Sequence, residues 1–421
     1  MAGGTSSQQQ DPALSAGPAR TSAPAGSEVT PEEIVRRAEA IAPTLVERQA
    51  ETEQRTFCAP DTHQAFLDAG FYRILVPRRY GGYEFGPDTL VRVTVALARG
   101  CSSTGWMYSL GAAHALNVAS LFPEQAQAEL FAGTDFVCPA VAAPSGTAER
   151  LPDGRWRLDG VWSYCSGAPY ATHFLGHTLV PDADGNLAPM AFVVPREGWQ
   201  RLDDWGRHLG LRGSGSHSIA ISGTVIPEHF ALPFTHVVNA DVSAGTPGLD
   251  LHGNPQYAGG LLSWMCMGLA ALAVGIAQGA LDAYEELMRT KMTFFPPIIG
   301  RSESLDYQLW HGSALRMVNT AQAALLGAVG QWLDACGAFG QQANLDITAI
   351  CTQVIELCWR AVADHLVRTA GTGALRQGER LERIWRDLSM LYTHAGPVFL
   401  ASGATREHSK SRLGLDVASF A

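Results

Sequence analysis

Residues 162–167 carry the side chains best suited to holding a flat, partly polar ring. The segment reads Trp-Ser-Tyr-Cys-Ser-Gly and closes an alternating run over 155–161. That period predicts a strand that stops at small hydroxyl and thiol groups. An ordinary strand and turn gives the same pattern, with Trp162 in the core and Ser166 capping backbone groups.

A second group of polar side chains lies on a predicted helix over 378–400. Arg380, Arg383, Asp387 and His394 are spaced so that they share one stripe of an otherwise apolar helix. A solvated face with ion pairs is the alternative, but the Ala/Gly-rich surroundings of His394 favour a lined pocket. A neutral imidazole there can take the proton of a phenol or donate its own hydrogen.

Composition limits the function classes. Apolar residues make up 46% of the 421 and charged residues only 17%, with a net charge of −10. A net negative chain is a poor phosphate-backbone binder, so nucleic-acid binding is not expected. The eight cysteines show no metal-type spacing, so we expect no metal site and a reduced, cytoplasmic protein. The apolar run 261–281 is rich in Gly and Ala, which favours a buried helix over a membrane span.

The elements that must position these residues follow the order α, β, α. Residues 1–28 are predicted to be a disordered tail rather than a signal peptide. Helical patterns fill 29–135, short alternating runs with turns fill 136–235, and long apolar helices return over 236–421. The sequence therefore predicts an α+β protein with an N-terminal helical domain, a middle antiparallel β domain resembling a barrel, and a C-terminal four-helix bundle.

This order and its motifs resemble the acyl-CoA dehydrogenase fold. The resemblance covers about residues 30–405 and includes Gly81-Gly82, the Trp-x-x-x-Ser element at 162–166, the Gly/Ser-rich loop 210–216 and the segment 291–298. Within that fold the chain most resembles the oxygenase component of two-component flavin-dependent monooxygenases of the p-hydroxyphenylacetate-hydroxylase and steroid-phenol-hydroxylase type. The similar motifs are Ser-Ser-Thr-Gly-Trp at 102–106 with a later histidine, and Arg-x-x-Arg-Asp with His-Ala at 383–395.

The carboxylate that a desaturating relative needs is missing from both of its usual places. No acid occurs between Asp387 and Glu407, and none between Asp250 and Asp282. The resemblance therefore implies oxygen chemistry. Reduced flavin (FMNH2 or FADH2) would react with O2 to give a C4a-hydroperoxide that hydroxylates an aromatic, phenolic or polycyclic molecule. No NAD(P)H-binding Gly-x-Gly-x-x-Gly motif is present, so a separate NAD(P)H:flavin reductase is implied.

The resemblance also assigns the site residues. Ser166 would hold the flavin N5, and His394 and His114 would stand at the reacting edge, with His394 the better candidate for the base. The remaining cofactor contacts would come from Trp162, Ser163, Cys165, Arg212, Ser214, Lys291, Gly371, Gly373 and Arg383. The substrate cavity would be lined by Trp106, Tyr108, Trp264 and Phe294, although these side chains could equally be core.

Three alternatives remain open from the sequence. They are an acyl-CoA dehydrogenase or oxidase, an N- or S-oxygenase on the same scaffold, and a non-catalytic scaffold that binds flavin or another ligand. The family implies a homotetramer, but the apolar faces of the bundle could also be internal.

Overall fold

A computed structural model describes residues 29–133 and 135–417 of the protein, and the predicted tail 1–28 lies outside these residues. Six helices form the first part of the described chain. The described residues from Pro31 onward belong to one compact unit. The six helices are α1 (Pro31–Glu47), α2 (Gln49–Arg55), α3 (Pro60–Ala69), α4 (Pro87–Gly100), α5 (Ser102–Leu121) and α6 (Glu124–Leu130).

Local signals explain where these helices begin and end. Pro31 opens α1, and two acids follow in its first turn, where the helix dipole favours negative charge. Gly70 ends α3 in the left-handed conformation, at φ 78°. Helix α5 is buried along almost its whole length, so its sequence shows little amphipathic pattern.

Seven strands form two antiparallel sheets between residues 147 and 232. They are β1 (Thr147–Arg150), β2 (Trp156–Cys165), β3 (His173–Pro181), β4 (Leu187–Pro195), β5 (Gln200–Arg201), β6 (His217–Ile226) and β7 (Ala231–Leu232). One sheet has the order β1-β2-β6-β5 and the other β3-β4-β7. Trp162 of β2 packs against Phe174 and Phe192 of the second sheet, so the core of this part lies between the two sheets.

The last part of the chain is helical again. Its helices are α7 (Pro247–His252), α8 (Leu261–Thr290), α9 (Leu305–Ala335), α10 (Gln341–Arg360), α11 (Arg368–Ala370), α12 (Arg380–Tyr392) and α13 (Ala395–Arg412), with a π-helical segment Ala361–Val367 after α10. Helix α8 is long and apolar enough to cross a membrane, yet 89% of its most apolar window is buried inside the protein. It is therefore the core helix around which α4, α5, α9 and α10 pack.

One predicted element is wrong. The single helix expected over 378–400 is two helices, α12 and α13, with a break at Thr393 and His394. His394 has extended backbone and caps α13, its Nδ1 accepting the N–H of Gly396 at 3.2 Å. Its side chain therefore does not continue the stripe of Arg380, Arg383 and Asp387, because a cap residue leaves the helical path.

Candidate active site

A chain of hydroxyl groups connects helix α5 with the end of strand β2. The indole Nε1 of Trp106 donates to Ser166 Oγ at 2.9 Å. Ser166 Oγ lies 2.8 Å from Ser216 Oγ, which lies 2.6 Å from Ser214 Oγ. Ser214 Oγ in turn donates to the carbonyl of Leu211 at 2.7 Å. The three serines are buried, so these bonds are not exchanged with bulk water.

Strand β2 ends at this place because Gly167 turns the chain. Gly167 has φ 89°, and its N–H lies within 3.2 Å of the carbonyls of Ser214 and Gly215. A Cβ at this position would stand 3.2 Å from Met107 of α5. A glycine is favoured by the left-handed φ and by the close approach of α5, and it fixes Ser166 beside the loop 210–216.

His394 joins the group through its contact with Trp106. The two ring centroids are 5.5 Å apart and the planes are inclined by 66°. Because His394 Nδ1 accepts the Gly396 N–H, the neutral ring carries its hydrogen on Nε2. The side chain is exposed in the single chain, but the protein around it still lowers its pKa. His394 is therefore a neutral imidazole that offers an N–H donor.

His114 has the opposite tautomer. Its Nδ1 lies 2.8 Å from the carbonyl of Leu110 and 2.9 Å from that of Cys138, so Nδ1 is the protonated nitrogen. Burial lowers the pKa of His114, against the effect of these two carbonyls. Nε2 is left with its lone pair, so His114 is the better base of the two. The prediction that His394 is the base does not fit this geometry.

A half-exposed strip along α5 and α8 opens beside these groups. Within the buried helix α5, only Leu110, Ala113 and His114 are partly exposed, and on the facing part of α8 only Met265 and Gly268 are. The helices touch here, since Trp264 Nε1 donates to the carbonyl of Ala113 at 3.2 Å. His114 lies about 12 Å along α5 from Trp106, since eight residues rise 1.5 Å each, and the strip covers the part of this distance from Leu110 onward.

Two arginines of α12 are occupied by an internal ion-pair network. Glu53 of α2 accepts from Arg383 at 2.7 Å and lies 2.9 Å from Arg386. Arg212 donates to the carbonyl of His208 at 2.6 Å and to Glu53 at 3.4 Å. The contacts tie α2, the loop before β6 and α12 together. They do not support Arg383 as a direct contact of a cofactor, because its guanidinium is already paired.

Asp387 anchors the loop 210–216 to α12. Its Oδ1 accepts the N–H of Leu211 at 2.6 Å, and its Oδ2 accepts from Ser103 at 3.4 Å. Leu211 has φ 52°, a strained value for a branched residue. Gly210 makes the close approach possible, because a Cβ there would stand 2.1 Å from the carbonyl oxygen of Arg386. Burial raises the pKa of Asp387 to about 7.

Several predicted site residues lie in the core instead. Trp162 has no exposed surface and donates to the carbonyl of His177 at 2.8 Å, so in this structure it holds the two sheets together. Cys165 is fully buried, and burial raises its pKa well above the ordinary value. Tyr108 packs among the aromatic rings of α3 and the segment after it, and Trp264 packs between α5 and α8.

Other predicted residues lie on the surface. Ser163 is exposed and bonds to Ser218 at 2.7 Å. Lys291 is exposed at the end of α8, and Phe294 is 82% exposed on the loop that follows. Gly371 and Gly373 lie in an exposed turn. Arg301, which follows the loop that carries Phe294, donates to the carbonyl of Ala370 at 2.8 Å and so joins that loop to the turn. Among the described contacts, none links these residues to Ser166 or His394.

Sequence reasoning missed Ser216 and the anchoring role of Asp387. Ser216 lies two residues after predicted Ser214 in the Gly-Ser-Gly-Ser run, a signal that could have identified both. Asp387 was recognised only as part of a polar stripe. A separate cavity of about 840 Å³ lies between α1, α4, α8 and α9. Arg380 of the predicted polar stripe lines it, but none of the residues assigned to the flavin or the substrate does.

Comparison with known protein families agrees with this architecture. The acyl-CoA dehydrogenase N-terminal domain family matches residues 30–131, and the acyl-CoA dehydrogenase C-terminal domain family matches residues 267–398. The two matched segments lie on either side of the β strands. The fold predicted from the sequence motifs is thereby confirmed.

Individual relatives point to one branch of that fold. A pigment production hydroxylase of a Rhodococcus species is 30% identical over 87% of this chain and 93% of its own length. The oxygenase component of an FADH2-dependent resorcinol hydroxylase of a Rhizobium species is 29% identical over 88% and 90%. The crystal structure of 3-HSA hydroxylase from Rhodococcus sp. RHA1 superposes with a TM-score of 0.82, at 26% identity over 92% and 98%. The chain belongs to the acyl-CoA dehydrogenase-fold family, in the branch of flavin-dependent monooxygenases.

Proposed function

We propose that this chain is the oxygenase component of a two-component monooxygenase that hydroxylates an aromatic, phenolic or polycyclic, small molecule. The observation that carries the proposal is the contact of Ser166 and His394 with Trp106, which brings a hydroxyl and an imidazole from separate elements to one indole. A dehydrogenase needs a carboxylate to remove a proton from carbon. The segment 388–406, which contains His394, has none.

The donor set fits a reduced flavin. Ser166 supplies a hydroxyl at a strand end, beside the rings of Trp106 and His394, and no charged side chain is needed at the ring. When bound, reduced flavin supplies the electrons that activate O2 for transfer of one oxygen atom to the substrate. FMNH2 and FADH2 both suit this role. The reduced flavin comes from a separate NAD(P)H:flavin reductase, as expected for an oxygenase component.

His114 and His394 divide the proton chemistry between them. His114 Nε2 has a lone pair and would accept the proton of a phenolic O–H, leaving an imidazolium and a phenolate whose ring is a better nucleophile. His394 presents its Nε2–H and donates to the oxygen that is being transferred. The strip between them, lined by Leu110 and Met265, is apolar enough for an aromatic ring.

The assembly we propose is a homotetramer in the cytoplasm. Met292, Phe294, Phe295 and Ile298 expose a contiguous apolar loop, which a neighbouring subunit would cover. In that arrangement Lys291 and the turn with Gly371 and Gly373 would reach the phosphate end of the neighbour's flavin. Free, mostly buried cysteines suit a reducing compartment.

The test supplies the protein with FMNH2 or FADH2 and O2 in the presence of a panel of phenols. The wild type is expected to hydroxylate at least one phenol. His114→Ala should still consume reduced flavin and O2 but release hydrogen peroxide in place of product, because the substrate keeps its proton. Product and peroxide are measured together by chromatography and a peroxidase assay.

His408→Ala is the matched control, since this histidine lies at the surface of α13 beside Asp346. This variant should convert the same share of the consumed O2 into hydroxylated product as the wild type does. Oxidation of an acyl-CoA by the wild type, with no phenol hydroxylated, would refute the proposal. Normal hydroxylation by His114→Ala would refute only the role given to that residue.

A further inference from the structure

We infer that Ser214 and Ser216 are positioning residues that orient the Ser166 hydroxyl as a hydrogen-bond acceptor, and that the site thereby prefers reduced over oxidised flavin. The inference rests on the proposed function and adds the residues that set its redox preference. It follows from the number of hydrogens and lone pairs along the hydroxyl chain, because each hydroxyl has one hydrogen to donate.

The direction of the chain is set at its first end by the carbonyl of Leu211. A carbonyl can only accept, so the 2.7 Å bond from Ser214 Oγ uses the single hydrogen of Ser214. The 2.6 Å contact between Ser214 and Ser216 must then carry the hydrogen of Ser216. For the same reason the 2.8 Å contact between Ser216 and Ser166 must carry the hydrogen of Ser166.

The other end of the chain agrees with this direction. The indole Nε1 of Trp106 can only donate, and it donates to Ser166 Oγ at 2.9 Å. Ser166 therefore gives its hydrogen to Ser216 and receives one from Trp106. A hydroxyl oxygen has two lone pairs, so one lone pair of Ser166 is left for a ligand. Toward the site, Ser166 is an acceptor and not a donor.

The Leu211 carbonyl is held so that this direction cannot easily reverse. Asp387 fixes the Leu211 N–H at 2.6 Å, and Trp205 Nε1 donates to the same Leu211 carbonyl at 2.9 Å. Ser214 and Ser216 are almost completely buried, so water does not offer them other partners. Reversing the hydroxyl chain would leave Ser214 Oγ and the Leu211 carbonyl oxygen 2.7 Å apart with no hydrogen between them, although the carbonyl would still accept from Trp205 and from the Ser214 N–H.

An acceptor at this place discriminates between the redox states of a flavin. Reduced flavin carries a hydrogen on N5 and can donate it to Ser166, whereas oxidised flavin has a lone pair on N5. If the lone pair of Ser166 Oγ faces the lone pair of N5 in oxidised flavin, no hydrogen bond forms and both buried polar atoms stay unsatisfied. The chain of hydroxyl groups therefore favours binding of reduced flavin, which is the form an oxygenase component receives from its reductase.

The experiment measures dissociation constants for both redox forms of FMN and of FAD, anaerobically for the reduced forms. Ser216→Ala frees the hydrogen of Ser166 to point at the ligand. The ratio of the dissociation constant of oxidised flavin to that of reduced flavin should fall by about tenfold, the worth of one hydrogen bond. The midpoint potential of the bound flavin should fall with it, by about 30 mV.

Ser214→Ala is a second variant, useful if Ser216→Ala does not fold. It releases the hydrogen of Ser216, which can then point at Ser166, so the ratio should fall in the same direction. Ser218→Ala is the matched control on β6, because Ser218 also pairs with another serine hydroxyl, at 2.7 Å, but lies outside the chain. Its ratio should equal that of the wild type.

The outcomes separate this inference from the proposed function. If the wild type binds reduced flavin and hydroxylates a phenol, but Ser216→Ala and Ser214→Ala keep the wild-type ratio, the inference is overturned and the proposed function stands. If the wild type binds neither redox form, both are overturned. A falling ratio in both variants, with Ser218→Ala unchanged, supports the inference.

Discussion

Replacing Asp387 by asparagine should change how the stability of the protein depends on pH. The carboxyl group is buried, and burial raises its pKa to about 7, although the Leu211 N–H and Arg386 act in the opposite direction and Glu53 adds to the rise. In the unfolded chain the group has an ordinary pKa near 4. The amide of Asp387→Asn would keep the shape of the protonated acid, accepting the Leu211 N–H through its oxygen and donating to Ser103.

The sign follows from proton binding. Between pH 4 and pH 7 the folded protein holds a proton on Asp387 that the unfolded chain has lost, so the stability contributed by this group declines as pH rises. The two pKa values differ by about 3, which corresponds to about 4 kcal/mol in the free energy of unfolding. The variant lacks this titration. Its stability relative to the wild type should therefore rise by about 4 kcal/mol between pH 4 and pH 8.

The assay is urea unfolding of both proteins, followed by tryptophan fluorescence at several pH values across this range. Comparing the two proteins at each pH removes the titration of groups they share, among them the buried histidines. Asp61→Asn is the control, because the Arg48 guanidinium holds the pKa of exposed Asp61 below its usual range. That carboxylate is ionised in both the folded and the unfolded protein over nearly all of this pH range, so the difference between Asp61→Asn and the wild type should stay almost constant. A difference between wild type and Asp387→Asn that stays constant with pH would refute the reasoning.

Three further substitutions test the packing around the site by urea unfolding. Glu53→Gln removes the charge that pairs two mostly buried arginines of α12 and should lower the free energy of unfolding by about 3 kcal/mol, whereas exposed Glu51→Gln should have little effect. Trp162→Ala empties the space between the two sheets and should lower it by about 4 kcal/mol. Gly210→Ala places a Cβ against a main-chain carbonyl of α12 and should weaken both stability and flavin binding, whereas Gly327→Ala on the open face of α9 should be neutral or stabilising.

The helices were predictable because their signals are local. Pro31 with the acids after it, Gly70 after α3 and the apolar spacing of α1 each act within a few residues. The break before α13 was not predictable in the same way. The apolar period continues through residues 393 and 394, and only the cap formed by the His394 side chain shows that the helix stops there.

The buried charges were harder to interpret. A stripe of Arg380, Arg383 and Asp387 is compatible with a solvated face or with a pocket. The structure shows an anchored interior, because Glu53, 330 residues earlier than Arg383, supplies the opposite charge. Partners so distant in sequence leave no periodic signal, so their pairing appears only in the folded chain.

The sequence by itself determined the order of helices and strands, the identity of Ser166, His114 and His394 as candidates, and the absence of a desaturating acid. Only the tertiary structure decided which aromatic ring meets Ser166. Trp162 lies four residues before Ser166, on β2, but its ring turns into the space between the sheets, and Trp106 reaches Ser166 from α5 instead. The reason is physical: a strand fixes the side on which a residue lies, but the packing of separate elements fixes what that residue touches.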